Sequence, residues 1–371
     1  MIENFLLTGF FMYFIYYSFN CLFYYFPSHE KRSSYQHDIP FLSVLIPARN
    51  EENNIKNAVD SVLSNDYRYF ECIVVDDNST DNTKDILSKY TDKRLKVISG
   101  KPLPKGWIGK NWACYQLSQS AKGDIILFSD ADTVHSEHAI KLLIEKMKTT
   151  NADLLSGIPK QIVKTIGEAL TVPFIGLFSF GALPHFLFRI KKIRWAAASN
   201  GQYQCFKKSA YEEFGGYKRI HDVLADDIAF PRLFKKSNKK VVYTNISPMV
   251  SSRMYNGFKD AFNGFAKSFY PTINKSPVLA ILVGFFIVLF FLSPYLFLSI
   301  SPTFKALFYL LFSLVLWTIS CINIHVNPLN VFLHPIVPFI LIAILIKSVH
   351  SHHNEGYLWK GRIYQQKTEE L

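Results

Sequence analysis

The chain has 371 residues, of which 49% are hydrophobic, and its mean hydropathy is +0.10. This length is enough for two or three domains, and the composition excludes a disordered or fibrous chain. The formal net charge is +12, and residues 151–276 carry +11 of it, whereas residues 27–150 are neutral overall. Such an excess suits nucleic acid, an anionic membrane surface or a phosphate-bearing substrate. The five cysteines are scattered without a C-x-x-C pair, so the sequence predicts neither a disulfide framework nor a zinc site.

The first predicted element is a membrane anchor over residues 1–26. Glu3 is the only charged residue between positions 2 and 26, and the stretch is long enough to cross about 30 Å of hydrocarbon. No Lys or Arg precedes it, whereas Lys31 and Arg32 follow it, so the positive-inside rule places the body of the chain in the cytoplasm. A membrane protein is a poor match for nucleic acid, and we expect no nucleic-acid partner.

Short apolar runs alternate with helical patterns from residue 41 onward, which predicts an α/β fold with a mainly parallel sheet flanked by helices. Functional residues of such sheets lie at the carboxyl ends of the strands. The predicted strands are 41–47, 70–75, 95–99 and 124–129, and the predicted helices are 53–64, 83–90, 111–121 and 136–149.

The second half of the chain contains further apolar segments. Residues 165–188 are interrupted by glycines and prolines, which predicts an interfacial helix or a re-entrant pair. Residues 277–346 contain one charged side chain, Lys305, and predict C-terminal transmembrane helices near 277–300, 303–324 and 329–346. The number of complete crossings stays open, and the basic residues of the tail, 347–371, favour a cytoplasmic location. These boundaries predict a first soluble half over 27–150 and a second over 151–276.

Carboxylates follow two of the predicted strands. The second strand ends in Asp76-Asp77, and the fourth in Asp130-Ala131-Asp132, while the first ends in Pro47-Ala48-Arg49. Because parallel strands deliver their carboxyl ends to one edge of a sheet, we expect these residues to share a site. Oxygen ligands of this kind hold a hard divalent cation, which in turn neutralises a diphosphate.

These strand-end motifs resemble those of the family 2 glycosyltransferases, which have the GT-A fold. The resemblance implies a nucleotide-sugar donor, with Pro47, Arg49 and Asp77 near the nucleotide, and with Asp130 and Asp132 holding Mg²⁺ or Mn²⁺ on the diphosphate. For Arg49 a plain surface position is an equal alternative. The loop Pro102–Cys114 is similar to that of a membrane-attached subgroup, which includes hopanoid-associated transferases and the diaponeurosporenoate transferase of the staphyloxanthin pathway.

The subgroup resemblance extends to the remaining candidate residues. Lys110 starts a predicted helix within reach of a phosphate. The pair Asp226-Asp227 corresponds to the family's catalytic base, with Asp227 as the base and Asp226 in support. Arg253 and Lys267 are expected to pair with the departing diphosphate.

The sequence therefore predicts a membrane-bound, inverting, metal-dependent hexosyltransferase that faces the cytoplasm. Its donor is expected to be UDP-glucose, and its acceptor a lipid such as a carotenoid or another terpenoid. One alternative is a processive exopolysaccharide synthase, which the absence of Gln-x-x-Arg-Trp after Asp227 disfavours. Another alternative is a non-catalytic membrane scaffold that binds a nucleotide sugar.

Overall fold

The computed structural model describes residues 2–26, 39–190, 192–273, 275–354, 357–359 and 362–364. It divides the chain into two compact units. The helical unit comprises Met1–Leu22, Gln161–Pro184 and Arg253–Leu371, and the sheet unit comprises Phe23–Lys160 and His185–Ser252. The basic run at 29–32 and much of the predicted tail lie outside the described residues. The five predicted segments stay predictions, since the two units follow a different division of the chain.

The helices and strands of the described part of the chain are as follows. The helices are α1 Ile2–Tyr25, α2 Ile55–Leu63, α3 Thr83–Ser88, α4 Gly109–Ser120, α5 Ala139–Thr150, α6 Ile166–Thr171, α7 Phe174–Gly181, α8 His185–Phe188, α9 Lys208–Phe214, α10 Asp226–Lys236, α11 Phe258–Thr272, α12 Pro277–Ile287, α13 Ser293–Ile300, α14 Phe304–Asn323 and α15 Val337–Asn354. The strands are β1 Leu42–Ala48, β2 Phe70–Asp76, β3 Leu95–Ser99, β4 Ile125–Ser129, β5 Thr133–His135, β6 Leu154–Ser156, β7 Lys160–Gln161, β8 Tyr203–Lys207, β9 Val241–Tyr243, β10 Val250–Ser252, β11 Tyr357–Trp359 and β12 Arg362–Tyr364.

A seven-stranded sheet with the order β3-β2-β1-β4-β8-β6-β9 forms the centre of the sheet unit. Neighbouring strands are parallel except at β8, which is antiparallel to both β4 and β6. The prediction of a mixed, mainly parallel α/β sheet flanked by helices is confirmed, and the four predicted strands appear within one residue of their expected bounds.

Hydrophobic residues cover both faces of this sheet, as a parallel sheet requires. Along β1, Val44 and Ile46 point to one face and pack in a core with Val59 of α2. Leu45 points to the other face and packs with Leu117 of α4. Because successive side chains of a strand alternate between faces, one short apolar run contributes to two cores. The carboxyl ends of β1, β2 and β4 are thereby fixed beside one another.

Among its described residues, the helical unit has two helical stretches that are long and apolar enough to cross a membrane. They are Pro277–Ile300, which joins α12 and α13 through a π-helical turn, and Phe304–Asn323, which is α14. The third predicted segment differs from its expected bounds, because a 3₁₀ turn at Pro328–Leu333 precedes α15, whose apolar stretch Val337–His352 is shorter. Proline at 328, 335 and 338 accounts for the delayed start of that helix.

The apolar segment 165–188 is divided into the short helices α6, α7 and α8. Its helix α7 packs closely on α14: a Cβ added to Gly176 would lie 2.5 Å from the carbonyl oxygen of Ser320. Helix α1, which the sequence predicts as an anchor, belongs to the same packing, since Tyr17 and Ser320 share a 2.9 Å hydrogen bond and Asn20 donates to the carbonyl oxygen of Phe180. Small residues and hydrogen bonds of this kind are what holds apolar helices together in a membrane.

Candidate active site

The ends of β1 and β2 are tied together by Arg49. Its guanidinium donates to the backbone carbonyl oxygens of Asp77 and Asn78, at 2.6 and 3.0 Å. Asp77 is 2% exposed, and its amide donates to the carbonyl oxygen of Ala48. Gly100 lies against this turn, because an added Cβ would be 3.0 Å from the Asp77 Cα. Arg49 therefore holds the turn that presents Asp77.

Asp130 follows β4 and forms an ion pair with Lys110 in the first turn of α4. The Lys110 Nζ lies 2.8 Å from Oδ1 and 3.0 Å from Oδ2 of Asp130, and it also donates to the carbonyl oxygen of Gly201 at 3.1 Å. The lysine thus spans the gap between the end of β4 and the turn that precedes β8. Two predicted site residues, far apart in the sequence, meet at this point.

Asp132 is held from the opposite side by a buried glutamine. The Nε2 of Gln202 lies 3.2 and 3.4 Å from the two carboxylate oxygens of Asp132, and it donates to the Ser252 hydroxyl at 2.7 Å. The Oε1 of Gln202 is buried without a hydrogen-bond partner in the described part of the chain. An unpaired buried oxygen beside a carboxylate is unusual and indicates a site that receives another group.

The acidic pair Asp226-Asp227 opens helix α10, where the helix dipole favours negative charge. Asp226 is 7% exposed and accepts a hydrogen bond from the Tyr217 hydroxyl at 3.1 Å. Asp227 is half-buried, and its backbone carbonyl accepts from the amide and the hydroxyl of Ser199, both at 2.8 Å. The two carboxylates therefore have different surroundings, with Asp226 anchored and Asp227 more open.

Gly201 lies at the centre of these groups. A Cβ built on it would be 3.4 Å from the Lys110 Nζ, 3.7 Å from the Asp226 Oδ1 and 4.0 Å from the Asp227 Cβ. Through Lys110, the same position is connected to Asp130. In the sheet unit, Gly201 is therefore close to the acidic pair of α10 and, through Lys110, to the aspartate that follows β4.

Crowding of carboxylates raises the pKa values at this site. Burial, and then the charges of Asp130 and Glu51, raise the pKa of Asp132 to about 7, and burial with the neighbouring Asp226 does the same for Asp227. For Lys110, burial alone would lower the pKa, but the charges of Asp130 and Asp226 keep it above its usual value. The site therefore holds excess negative charge that one lysine only partly balances.

The residues fit a divalent cation that arrives with a diphosphate. Among the described residues no group of three or more His, Cys, Asp or Glu side chains is placed to hold a metal alone. Asp130 and Asp132 supply hard oxygen donors, and Asp132 is contacted by Gln202, whose own oxygen is buried without a partner among the described residues. A cation at this point would need additional oxygens from a ligand, as Mg²⁺ does when it bridges carboxylates and phosphates.

The remaining predicted site residues occupy other positions. Pro47 is part of β1, opposite Val75 of β2, and is half-buried. Arg253 and Lys267 belong to the helical unit, where Arg253 forms a 2.8 Å ion pair with Glu168 and Lys267 lies on α11. The predicted roles of these three residues stay predictions.

Residues 43–215 match the family described as Glycosyl transferase family 2. Over these residues the chain is therefore similar to the family 2 glycosyltransferases. Two relatives are named 4,4'-diaponeurosporenoate glycosyltransferase. The one from Staphylococcus haemolyticus is 30% identical over 61% of this chain and 60% of its own length, and the one from Staphylococcus aureus strain MRSA252 is 26% identical over 87% and 88%. The chain thus spans about three fifths of the first relative's length.

The fold of the glycosyltransferase domain has a counterpart among solved structures. A mannosyltransferase from Pyrobaculum calidifontis, solved with GDP-Man and Mn²⁺, superposes with a TM-score of 0.55 over 94% of this chain and 97% of that chain, at 17% identity. At this level of identity the likeness concerns the fold, which is the GT-A type that the strand-end motifs predicted.

Several residues of the site were missing from the sequence-based prediction. Gly201 and Gln202 stand in the turn before β8, and their contacts depend on β8 running antiparallel to β4. Tyr217 lies further along the chain, and its contact with Gln204 of β8 is likewise tertiary. A glycine two residues before a strand was the available signal, because such positions often mark close approach of another group.

Proposed function

We propose that the glycosyltransferase domain transfers a hexose, most simply glucose from UDP-glucose, to a lipid acceptor with inversion at the anomeric carbon. The observation that carries this proposal is the grouping of Lys110, Asp130 and the pair Asp226-Asp227 around Gly201. A displacement at an anomeric carbon requires a group that holds the cation and a base close to the same point. The proposal assigns the first task to Asp130 and Asp132 and the second to Asp227.

On the donor side, Asp77 binds the nucleotide base and Pro47 lines the nucleotide pocket. Arg49 acts on the same pocket by holding the turn that carries Asp77. Asp130 and Asp132 would hold Mg²⁺ or Mn²⁺, which supplies positive charge to the leaving nucleoside diphosphate. Lys110, Arg253 and Lys267 add cationic side chains for the phosphates.

On the acceptor side, Asp227 removes the proton of an attacking hydroxyl group while Asp226 stays anchored. Burial and the adjacent carboxylate raise the pKa of Asp227 to about 7, which is the range in which a general base works at neutral pH. A carboxylic acid acceptor is already ionised at pH 7 and needs no base. The intact acidic pair therefore favours an alcohol.

Two observations support a lipid acceptor. The relatives are named for action on diaponeurosporenoate, a carotenoid acid, and two helical stretches of this chain meet the length and composition of membrane spans. We propose that the enzyme is a multi-pass protein of the cell membrane with its glycosyltransferase domain in the cytoplasm, where nucleotide sugars are found.

An untargeted comparison of lipids from cells with and without the protein tests this function. We expect a lipid that is heavier by one hexose residue to appear only with the wild-type chain, and to be absent when Asp132→Ala replaces it. Donor hydrolysis without any new lipid would contradict a lipid acceptor. Products that lengthen with time would instead indicate a polysaccharide synthase, and nucleotide-sugar binding without turnover would indicate a scaffold.

A further inference from the structure

A chain of hydrogen bonds closes a ring behind the acidic pair. It starts at the Asp226 carboxylate, where the Tyr217 hydroxyl lies 3.1 Å from Oδ2, and continues 3.0 Å from that hydroxyl to Oε1 of Gln204. The Nε2 of Gln204 donates to the Ser199 hydroxyl at 2.8 Å, and that hydroxyl donates to the backbone carbonyl of Asp227 at 2.8 Å. The ring thus begins and ends on the two residues that open α10.

Every side chain of this ring is buried. Tyr217 and Gln204 are fully buried, Ser199 is 6% exposed, and Asp226 is 7% exposed. The Tyr217 ring lies in an aromatic layer, with ring centroids 5.0 Å from Phe128 and 5.4 Å from Phe230. Polar groups in such surroundings cost free energy unless they are hydrogen-bonded, so an apolar residue at position 217 would pack at least as easily.

The number of protons on each group determines which atom donates in most of the hydrogen bonds of this ring. The Ser199 hydroxyl gives its one proton to Asp227, so it accepts from the amide group of Gln204, which leaves the Gln204 carbonyl facing Tyr217. Tyr217 has one proton and two acceptors, the Gln204 Oε1 and the Asp226 Oδ2. The one hydroxyl proton is therefore shared between these two acceptors, and through it the side chain of Asp226 is linked to that of Gln204.

We propose that Tyr217 is a positioning residue for the acidic pair. Its hydroxyl fixes the Asp226 carboxylate, and through Gln204 and Ser199 it also fixes the first turn of α10, so that Asp227 points its carboxylate to the open space beside Gly201. This inference rests on the proposed function of Asp227 as the base. It assigns to the Gly215-Gly216-Tyr217 motif a task in catalysis beyond the packing of the aromatic layer.

The test compares Tyr217→Phe with Tyr211→Phe. Tyr211 is in the same aromatic layer and is 4% exposed, and its hydroxyl accepts from the amide of Tyr217 and not from a carboxylate of the acidic pair. In the transfer assay we expect Tyr217→Phe to lower kcat about tenfold with KM for the nucleotide sugar within twofold of wild type. Tyr211→Phe is expected to keep kcat within twofold. Equal losses in both variants, or an unchanged kcat in Tyr217→Phe, would overturn the proposal.

A double-mutant cycle with Asp226→Asn tests the contact itself, apart from catalysis. If the Tyr217 hydroxyl holds Asp226, the shifts in unfolding midpoint caused by the two substitutions are not additive, and strictly additive shifts would overturn the proposal. This measurement needs no activity, so failure of the proposed function and failure of the proposed ring can be told apart.

If Tyr217→Phe does not fold, Ser199→Ala replaces it, because this substitution breaks the ring at its other end. We expect Ser199→Ala to lower kcat several-fold at unchanged KM. An unchanged kcat overturns the proposal.

Discussion

The charge balance of the candidate site depends on a single lysine. Lys110 is the one cation within hydrogen-bonding distance of Asp130 among the contacts described, while Glu51, Asp132 and Asp226 all add negative charge nearby. On the proposed function, Lys110 and a divalent cation would both be attracted to Asp130. The two would then compete for this carboxylate in the absence of a diphosphate, whereas a bound diphosphate would offer both of them negative charge.

Replacing Lys110 should separate these two effects. In Lys110→Met, we expect Mn²⁺ to bind the nucleotide-free protein about fivefold more tightly, because about 1 kcal/mol of charge repulsion is removed. UDP should bind more weakly to the same variant in the presence of Mn²⁺. Titration of Mn²⁺ followed by electron paramagnetic resonance measures the first effect. Lys105→Met, which changes an exposed lysine of the same loop, is the control, and a lower Mn²⁺ affinity in Lys110→Met would contradict this account.

Gly201 should tolerate a methyl group and exclude anything larger. The distances from an added Cβ, 3.4 to 4.0 Å, are ordinary contacts, so Gly201→Ala is expected to keep at least a third of the wild-type transfer rate. Gly201→Leu would place its side chain among Lys110, Asp226 and Asp227, and we expect a loss of at least 100-fold with an unfolding midpoint close to that of Gly201→Ala. A Leu variant as active as the Ala variant would show that the reacting groups meet elsewhere.

The aspartates of this site could be predicted from the sequence because each follows a predicted strand or opens a predicted motif. Gly201, Gln202 and Tyr217 could not be assigned in the same way. Their roles come from the antiparallel pairing of β8 with β4, which places the turn before β8 across from Asp130. Strand direction is a tertiary property, and the alternation of residues along β8 is the same for either direction.

At the scale of elements, Glu168 fixes the start of α6. Its side chain is fully buried and accepts hydrogen bonds from Arg253, from the Gly257 amide and from the Lys164 amide, at 2.7 to 2.8 Å. Thr165 caps the same helix through the Glu168 amide. The first turn of the apolar segment is thereby joined to the loop that follows β10.

Removing the Glu168 charge should destabilise the helical unit. In Glu168→Gln, the half-buried Arg253 loses its ion-pair partner and the amides of Lys164 and Gly257 lose a charged acceptor, so the expected cost is about 2 kcal/mol. Differential scanning calorimetry in detergent measures the change as a lower unfolding midpoint. Glu212→Gln, in an exposed pair with Lys208, is the control and should shift the midpoint very little. Equal shifts in the two variants would contradict a structural role for the buried pair.

The same pair predicts a pH dependence. Despite its burial, hydrogen bonds from Arg253 and the backbone lower the pKa of Glu168 to about 2, from an ordinary value of 4.5. The stabilisation is therefore fully present above pH 4.5 and is lost as the pH falls toward 2. We expect the difference in unfolding midpoint between wild type and Glu168→Gln to shrink steadily below pH 4.5. A difference that stays constant between pH 6 and pH 3 would mean that Glu168 is not held as a carboxylate.

The elements of the sheet could be predicted more closely than those of the helical unit. Strands β1 to β4 are short apolar runs closed by polar turns, and local pattern alone locates them. The segments 165–188 and 329–346 are mostly apolar, so their sequence gives little periodicity to set helix ends. The breaks follow from prolines and from packing such as that of Gly176 on Ser320.

At the scale of the whole molecule, the uneven charge suggests how the chain meets its surroundings. Residues 27–150 are neutral overall, whereas residues 151–276 carry +11. On the proposed function, we attribute this excess to contact with anionic lipid headgroups and with the diphosphate. The proposed topology has the sheet unit on the cytoplasmic side.

Cysteine labelling tests that placement. In a background without the five native cysteines, Pro302→Cys lies in the turn between α13 and α14, and Lys84→Cys lies on an exposed face of α3. We expect a membrane-impermeant maleimide to label Pro302→Cys in intact cells, and to label Lys84→Cys only after lysis. Labelling of Lys84→Cys in intact cells would place the domain outside.

The most direct test of the central claim is the rate at which labelled hexose passes from a nucleotide sugar into the lipid fraction. We predict a rate with the purified wild-type protein that depends on Mn²⁺ and falls at least 100-fold in Asp132→Asn, while the variant keeps the wild-type unfolding midpoint. A transfer rate in Asp132→Asn within a few-fold of wild type, still dependent on Mn²⁺, would contradict the assignment of the site.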